Sequence, residues 1–156
     1  MNLDFVATAA EPLMFFVPGR PAPGGSKRFV GIGKKTGRAI LIDAGGKRNK
    51  EWRACVSHCA HLIAPAELLR GPLAVEFDFT MPRPKSHYYT SKKLNGELRA
   101  DAPTMHTFTP DVLKISRSTE DALTGIIWAD DAQTVTLTAT KTYGDKPGCH
   151  ITITLL

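Results

Sequence analysis

Three stretches of the chain alternate between apolar and polar residues with the two-residue period of a β-strand. They are residues 73–79, 134–141 and 150–156. Successive side chains in a strand point to opposite faces of the sheet, so the pattern predicts strands that are buried on one face and exposed on the other. Such strands need a second layer to cover the buried face, and this requirement limits the folds open to the chain.

Two helical segments supply that layer. In the first, about residues 49–62, apolar residues recur at helical spacing: Trp52, Cys55, Val56, Cys59 and Leu62. The second begins at Asp111 or Val112 and runs to Thr124, with Gly125 in the position that commonly ends a helix. Its predicted core face consists of Ile115, Thr119, Ala122 and Ile126.

The remaining elements complete an α+β domain over residues 1–156, with a mostly antiparallel or mixed sheet and two main helices packed on it. A strand is predicted at residues 13–17, a hairpin at 29–32 and 38–42, and a second hairpin across 144–148 that joins the last two strands. The loops at about 18–28 and 82–109 are basic. The second of these has no clear periodicity, and a loop of that length is usually functional or mobile.

The charge balance favours an anionic partner. Twenty Lys and Arg stand against fifteen Asp and Glu, and the sequence pI is about 9.2. Nucleic acid ranks ahead of an anionic membrane surface as that partner. No apolar run approaches the roughly 18 residues of a membrane span, no signal peptide is apparent in residues 1–10, and three unpatterned cysteines favour a reduced, cytoplasmic setting.

An acidic segment stands out in this basic chain. Five carboxylates lie within 21 residues: Asp111, Glu120, Asp121, Asp130 and Asp131. Oxygen ligands suit Mg²⁺, and Mg²⁺ suits phosphate chemistry. The residues alone leave a plainer alternative open, in which Asp111 caps the helix, Glu120 pairs with Arg117 or Lys114 on a solvated face, and Asp130-Asp131 forms a turn.

The segment resembles the signature of the RusA-type Holliday-junction resolvase family. That pattern runs Asp-x-Asp-Asn-x-x-x-Lys-x-x-x-Asp-Ala-Leu, then an aromatic link, then Asp-Asp-Ala-Gln. The matching residues are Asp111, Arg117 in the lysine position, Asp121-Ala122-Leu123, Trp128 and Asp130-Asp131-Ala132-Gln133. Residues 17–23 and 25–28 are similar to the opening of many phage-borne members.

The resemblance implies a homodimeric, Mg²⁺-dependent endonuclease that hydrolyses phosphodiesters in four-way junctions and other branched DNA, with Mn²⁺ as a possible substitute for Mg²⁺. Carried over by position, Asp111 and Asp131 are metal ligands and catalytic acids. Arg117 would stabilise negative charge developing on phosphate, although a guanidinium cannot donate a proton at neutral pH. Asp121 and Asp130 are predicted to be structural or supporting.

The sequence departs from the family pattern at Leu113, which stands where the second acid belongs, with Lys114 in place of the Asn. Three explanations stay open: a weakened nuclease, a DNA-binding relative that does not cut, or a site completed by another acid. Glu120 lies two turns after Leu113 on the same helical stripe, about 10 Å along the axis. We therefore predict Glu120 as the replacement metal ligand, against the alternative of a surface ion pair.

Six basic residues are candidates for contact with DNA phosphates: Arg20, Lys27, Arg28, Arg83, Lys85 and Lys114. Tyr88 and Tyr89 follow two of them and suit base stacking, with a merely solvated loop as the alternative. His106 is a candidate to approach the metal or phosphate. Cys55 and Cys59 are predicted to be buried small hydrophobes, because they share a helical face with Trp52 and Leu62. With His58 and His61 they could suggest a zinc site, but no second pair of ligands on a separate element is convincing.

Overall fold

The computed structural model describes residues 11–25, 27–43 and 46–156, without the side chains of residues 27, 28 and 41–43. The strands are β1 (Leu13–Pro18), β2 (Lys27–Ile32), β3 (Ala39–Asp43), β4 (Leu73–Pro82), β5 (Thr134–Gly144) and β6 (Gly148–Leu155). The helices are α1 (Gly46–Ile63) and α2 (Val112–Leu123), with short 3-10 helices at Lys85–His87 and Asp131–Gln133. The predicted α+β class is confirmed, and the expectation about residues 1–10 lies outside the described residues.

The main sheet has four strands in the order β1-β6-β4-β5, while β2 and β3 pair separately as the predicted hairpin. β6 pairs antiparallel with β1 and β4, but β4 and β5 are parallel. The prediction of a hairpin between the last two strands is wrong, because β4 lies between them. The chain from β4 to β5 contains α2, and a connection of that length permits a parallel crossover.

The alternation of apolar and polar residues in β4 correctly predicts which face of the sheet is buried. Leu73, Val75, Phe77 and Phe79 are fully buried there, and Glu76 between them is exposed. The helices cover this face with Trp52, Val56 and Ala60 from α1 and Ile115, Ala122 and Leu123 from α2. One continuous apolar core therefore lies between the sheet and the two helices.

The predicted buried face of α1 is partly wrong. Cys55 is exposed, Cys59 is only half-buried and Leu62 is 72% exposed. The buried residues of α1 are Asn49, Trp52, Val56 and Ala60, which form a single stripe with helical spacing. Cys55 and Leu62 lie off that stripe, whereas Cys59 and Ile63 beside it are partly buried against the core.

Two hydrogen bonds fix α2 against α1. The indole nitrogen Nε1 of Trp52 donates to Oγ1 of Thr119 over 3.0 Å, and Oγ of Ser118 donates to Oδ1 of Asn49. All four residues are buried. Buried polar groups need such partners, so the two pairs set the orientation of α2 as well as its depth. The predicted core face of α2 is confirmed at Ile115, Thr119 and Ala122, and Ile126 is half-buried.

The long segment before α2 is ordered by its own hydrogen bonds. Tyr89 N donates to Glu97 O and Arg99 N to His87 O, which fold residues 87–99 back on themselves. Further on, His106 N donates to Lys141 O, and Tyr143 N donates to Thr104 O. The chain thus runs along the free edge of β5 directly before it enters α2.

Candidate functional site

Asp111 stands at the N-cap position of α2, at the end of the segment that follows the edge of β5. Its backbone is extended, and its side chain caps no helical N–H group. Instead its carboxylate is exposed and lies 3.2 Å from the ammonium of Lys114 one turn later. The carboxylate is therefore available to an external cation or to solvent rather than used by the helix.

A second lysine holds the chain that carries Asp111. Lys141 extends from β5, and its Nζ donates to the carbonyl oxygens of Phe108 at 2.7 Å and Pro110 at 2.6 Å. Burial lowers the pKa of Lys141, and the negative charge of nearby Asp111 partly offsets that effect. Lys141 thus fixes the two residues around the turn into α2 and adds positive charge beside Asp111.

At the other end of α2, the charge of Asp131 acts on the carboxyl of Glu120. Burial raises the pKa of the Glu120 carboxyl; the Thr134 hydroxyl lowers it, and the charges of Asp131 and Asp121 raise it further. The Thr134 hydroxyl is itself buried and makes no hydrogen bond of good geometry with the described residues. Three carboxylates and an unsatisfied hydroxyl therefore influence one another across the C-terminal part of α2 and the start of β5.

Gln133 fixes the loop that presents Asp131. Its Nε2 donates to the carbonyl oxygens of Leu69 and Gly71, both at 3.0 Å, and its Oε1 accepts from the backbone N–H groups of Ala129 and Asp130. Asp130 caps the 3-10 helix through a hydrogen bond of 2.8 Å from the N–H of the residue two positions later. The supporting role predicted for Asp130 takes the form of this cap.

The predicted set of three metal ligands is divided between the two ends of α2. Glu120 follows Asp111 by nine residues, which is about 13 Å along an ideal helix axis. In the described part of the chain, no three His, Cys, Asp or Glu side chains are grouped closely enough to hold a metal ion. Glu120 and Asp131 are neighbours, whereas Asp111 has two lysines beside it.

The stripe that links the two ends faces outward. Leu113 is 73% exposed and Arg117 is also exposed. Arg117 makes no hydrogen bond or ion pair with any residue that the structure describes, and Lys114 is engaged with Asp111. The plainer alternative, in which Glu120 pairs with one of these two cations, is therefore not the arrangement found.

The other predicted DNA contacts differ in availability. Arg20 and Lys85 are exposed, but Arg83 donates to the carbonyl oxygen of Pro103 and lies over the ring of Tyr143. The side chains of Lys27 and Arg28 lie outside the described residues. Arg20, Lys114 and Arg48 line one cavity together with Asp111.

His106 packs against Tyr143, with ring centroids 4.6 Å apart. Burial lowers the pKa of His106, and the positive charge of Lys141 lowers it further. Its Nδ1 is buried without a hydrogen-bond partner among the described residues. His106 thus packs along the edge that leads to Asp111.

Two supporting residues escaped the sequence analysis. Gln133 appeared only as part of a motif, and Lys141 only as the end of an alternating strand. A signal for Lys141 exists, because it shares a strand face with Leu137 and Ala139, where an apolar residue is expected. A lysine on the core-facing side of a strand needs buried partners, and here the partners are two carbonyl groups.

The fold and the acids on a basic surface define a small α+β domain of the kind that acts on nucleic acid. The family model of the endodeoxyribonuclease RusA matches residues 18–154, nearly the whole chain. The protein therefore belongs to the RusA endodeoxyribonuclease family, as its acidic segment predicted.

A relative in Bacillus subtilis (strain 168) is similar over most of its length. This uncharacterized protein YqaN is 27% identical over 142 residues, which cover 90% of this chain and 94% of the relative. The similarity thus extends across the whole domain rather than the acidic segment alone. Within the described residues, no helix is long and apolar enough to cross a membrane.

Proposed function

We propose that the protein is a divalent-metal-dependent endonuclease that resolves four-way junctions and related branched DNA. The observation that supports this most is membership of an endodeoxyribonuclease family, together with a partly buried Glu120 carboxyl on which the charge of Asp131 acts. The chain has Leu113 where the family pattern has an acid, and Glu120 returns a carboxylate to the same helical stripe. The proposed site is therefore a rearranged version of the family's site.

The residues at the C-terminal end of α2 fit a hard cation. Glu120 and Asp131 offer carboxylate oxygens, which Mg²⁺ and Mn²⁺ prefer. Burial and, to a smaller extent, the charge of Asp131 raise the pKa of Glu120, and a bound cation would favour its ionised form. The buried Thr134 hydroxyl, which lowers the pKa of Glu120, adds a polar group at the same place.

In this proposal Glu120 and Asp131 would hold the metal. Asp111 lies about 13 Å from Glu120 along α2, too far to bind the same ion as Glu120, and would act at the N-terminal end of the helix beside Lys114. The metal supplies polarisation of the scissile phosphate and acidification of a water. Arg117 lies on the stripe between the two ends, where its guanidinium would stabilise charge on the phosphate. Lys141 and Gln133 keep Asp111 and Asp131 in position.

The basic surface gives the DNA a place to bind. The cations Arg20, Lys114 and Lys85 are exposed beside or near the segment that leads into α2. Their contacts with phosphates would carry no base information, which suits an enzyme that recognises DNA shape. A homodimer would present two such sites to the two opposed strands of a junction.

A second function is favoured by one observation. Asp111 is separated from Glu120 along α2 and lies beside Lys114 and Lys141. If the two ends of α2 act independently, the protein binds branched DNA with the same surface and leaves it uncut. This is a binding function rather than an enzymatic one.

A synthetic four-way junction distinguishes the two functions. With Mg²⁺ or Mn²⁺, we expect the protein to nick opposed strands, and Asp131→Asn to bind the junction without cutting it. Asp130→Asn is the matched control, because an asparagine oxygen can still accept the capping hydrogen bond from the Ala132 N–H. Junction binding by the unaltered protein without a nick at any metal concentration would rule out the enzyme and support the binding function.

A further inference from the structure

A cavity of about 640 Å³ opens beside Asp111. Its walls come from the loop that follows β1, the first turns of α1 and the amino end of α2. The volume falls within the range of pockets that bind small organic ligands. No role proposed above for the two ends of α2 requires a cavity of this size.

The walls are tied to one another by backbone hydrogen bonds. Gly24 N donates to Lys114 O over 3.2 Å, which joins the β1 loop to α2. Gly19 N donates to Pro147 O over 3.1 Å, which joins the start of the same loop to the turn before β6. The buried bond between Trp52 and Thr119 completes the frame. The cavity is therefore a product of the fold.

The inner surface is mostly apolar. Pro21, Ala22 and Trp52 are buried where they line it, and Pro110 and Cys55 flank them. Proline rings and small apolar side chains offer planar, uncharged contact area. A nucleobase fits such a surface, because each of the four bases can pack its apolar π-face there.

The rim carries positive charge. Arg20 and Arg48 are exposed there, and neither makes a hydrogen bond or ion pair with any residue that the structure describes. Lys114 is the third cation, 3.2 Å from Asp111. The other carboxylate of the lining, Glu51, pairs with the lysine four residues before it. The rim is therefore complementary to an anion, with two guanidinium groups unused.

The apolar inner surface and the cationic rim together indicate which part of a DNA molecule would fit the cavity. A bare phosphate would leave the floor unfilled, and a base pair held in a continuous stack cannot enter a cavity. An unpaired nucleotide meets both requirements, because its base fills the cavity while its phosphate reaches Arg20 and Arg48. Taking a nucleotide out of the stack costs least where it is already unpaired, as at a branch point.

We infer that this cavity binds one unpaired nucleotide of the branch point, next to the phosphate presented to Asp111, and that this binding distinguishes branched DNA from duplex. The inference rests on the proposed function for its substrate class. It assigns a role to Arg48 and Cys55, neither of which is part of the acidic segment. In this scheme the acidic residues take part in phosphodiester cleavage, and the cavity determines the position of cleavage by binding the branch point.

The test is binding to a four-way junction that carries 2-aminopurine at the branch point, measured without metal so that cutting plays no part. We expect fluorescence to rise on binding, since the base leaves its stack, and to stay constant when the probe lies within an arm. Cys55→Trp fills the cavity from an exposed position, and Arg48→Gln removes a rim cation. Each should reduce the preference for junction over duplex by about tenfold.

His58→Trp and Arg53→Gln are the matched controls on α1, because neither residue lines the cavity. Both should keep the preference and the fluorescence change. If Cys55→Trp and Arg48→Gln also keep them while their melting temperatures are normal, the inference is wrong. It is equally wrong if Arg48→Gln weakens junction and duplex binding by the same factor and Cys55→Trp has no effect. A fluorescence rise in a protein that never cuts would support the cavity and overturn the proposed nuclease.

Discussion

The ammonium of Lys141 lies 2.6 Å from the carbonyl oxygen of Pro110, the residue directly before Asp111. A second bond of 2.7 Å to the carbonyl of Phe108 makes the lysine a two-point clamp between β5 and the entrance to α2. The position of a carboxylate at the start of a helix depends on how firmly the backbone before it is held. The clamp therefore links the sheet to the position of Asp111.

Lys141→Met should impair cutting more than folding. Methionine keeps much of the chain length but cannot donate to the two carbonyl groups. We expect a loss of about 1–3 kcal/mol in the free energy of unfolding. Because small misplacements of a reacting group are costly, junction cleavage should fall about tenfold to a hundredfold. Lys146→Met, at an exposed lysine in the β5–β6 connection, should change neither quantity. Parental cleavage by a destabilised Lys141→Met protein would refute the positioning role.

Gln133→Glu should disturb the other end of the site. The amide nitrogen donates to Leu69 O and Gly71 O, and a carboxylate in its place would face two carbonyl oxygens without a proton to share. We expect a destabilisation of about 1–3 kcal/mol and weaker cutting, because the loop carrying Asp131 loses its anchor. Urea unfolding and junction cleavage measure the two effects. Gln133→Glu protein with unchanged stability would show that the two bonds donated by Nε2 contribute little.

The sequence predicted the elements better than their connections. The alternation in residues 73–79 identified the buried residues of β4, because each strand position has only two faces to choose from. The same alternation says nothing about a strand's neighbours, and the parallel pairing of β5 with β4 was missed. Helix α1 shows a related limit, since spacing alone cannot tell whether Cys55 or Asn49 belongs to the covered stripe.

The candidate site shows the same division. Asp111 and Asp131 were predicted from the resemblance to the family signature, and Glu120 from its position on the same helical stripe as Leu113. Lys141 acts through the carbonyl groups of Phe108 and Pro110, which lie far away in the chain, and only the fold brings them to the lysine. The fold likewise places Arg48 on the cavity rim next to residues of distant segments. The placement of Glu120 beside Asp131 also depends on where β5 starts, which the spacing along α2 cannot specify.

Thr119→Val tests how α2 is held. The buried threonine hydroxyl accepts from Trp52 Nε1 and donates to Ile115 O. Valine has nearly the same shape but leaves the indole N–H without a partner, and this should cost about 1–3 kcal/mol in unfolding free energy. Thr138→Val on the exposed face of β5 should stay within about 0.5 kcal/mol of the parent in the same denaturation experiment. Equal effects of the two changes would mean that the indole bond does not stabilise α2.

Stability should decline on mild acidification because of His106. Its folded-state pKa lies below the ordinary value, so the unfolded chain binds the proton more readily. The stabilisation is fully present above the unfolded pKa of about 6.5 and is lost as pH falls through it toward the folded value. When the pH is lowered from about 7.5 to about 5.5, the melting temperature of His106→Gln should fall less than that of the parent. His58→Gln, at an exposed position on α1, should follow the parental curve; a parental slope in His106→Gln would exclude this origin.

Glu120→Gln addresses the departure at Leu113 directly. Glutamine keeps the size of the side chain and one oxygen but removes the charge that faces Asp131. If Glu120 replaces the missing acid, the rate of cutting of a four-way junction should fall by about tenfold to a hundredfold. Added Mn²⁺ should restore part of the loss, because Mn²⁺ tolerates weaker oxygen ligand sets than Mg²⁺ does.

Asp121→Asn is the matched control for Glu120→Gln, since it removes a neighbouring charge from the same helix at an exposed position. It should leave cutting near the parental rate. Leu113→Asp combined with Glu120→Gln should then recover activity, because the acid returns to the position that the family pattern gives it. If Glu120→Gln alone cuts at the parental rate, Glu120 is a surface carboxylate without a role in cutting. The double variant would then have no lost activity to restore.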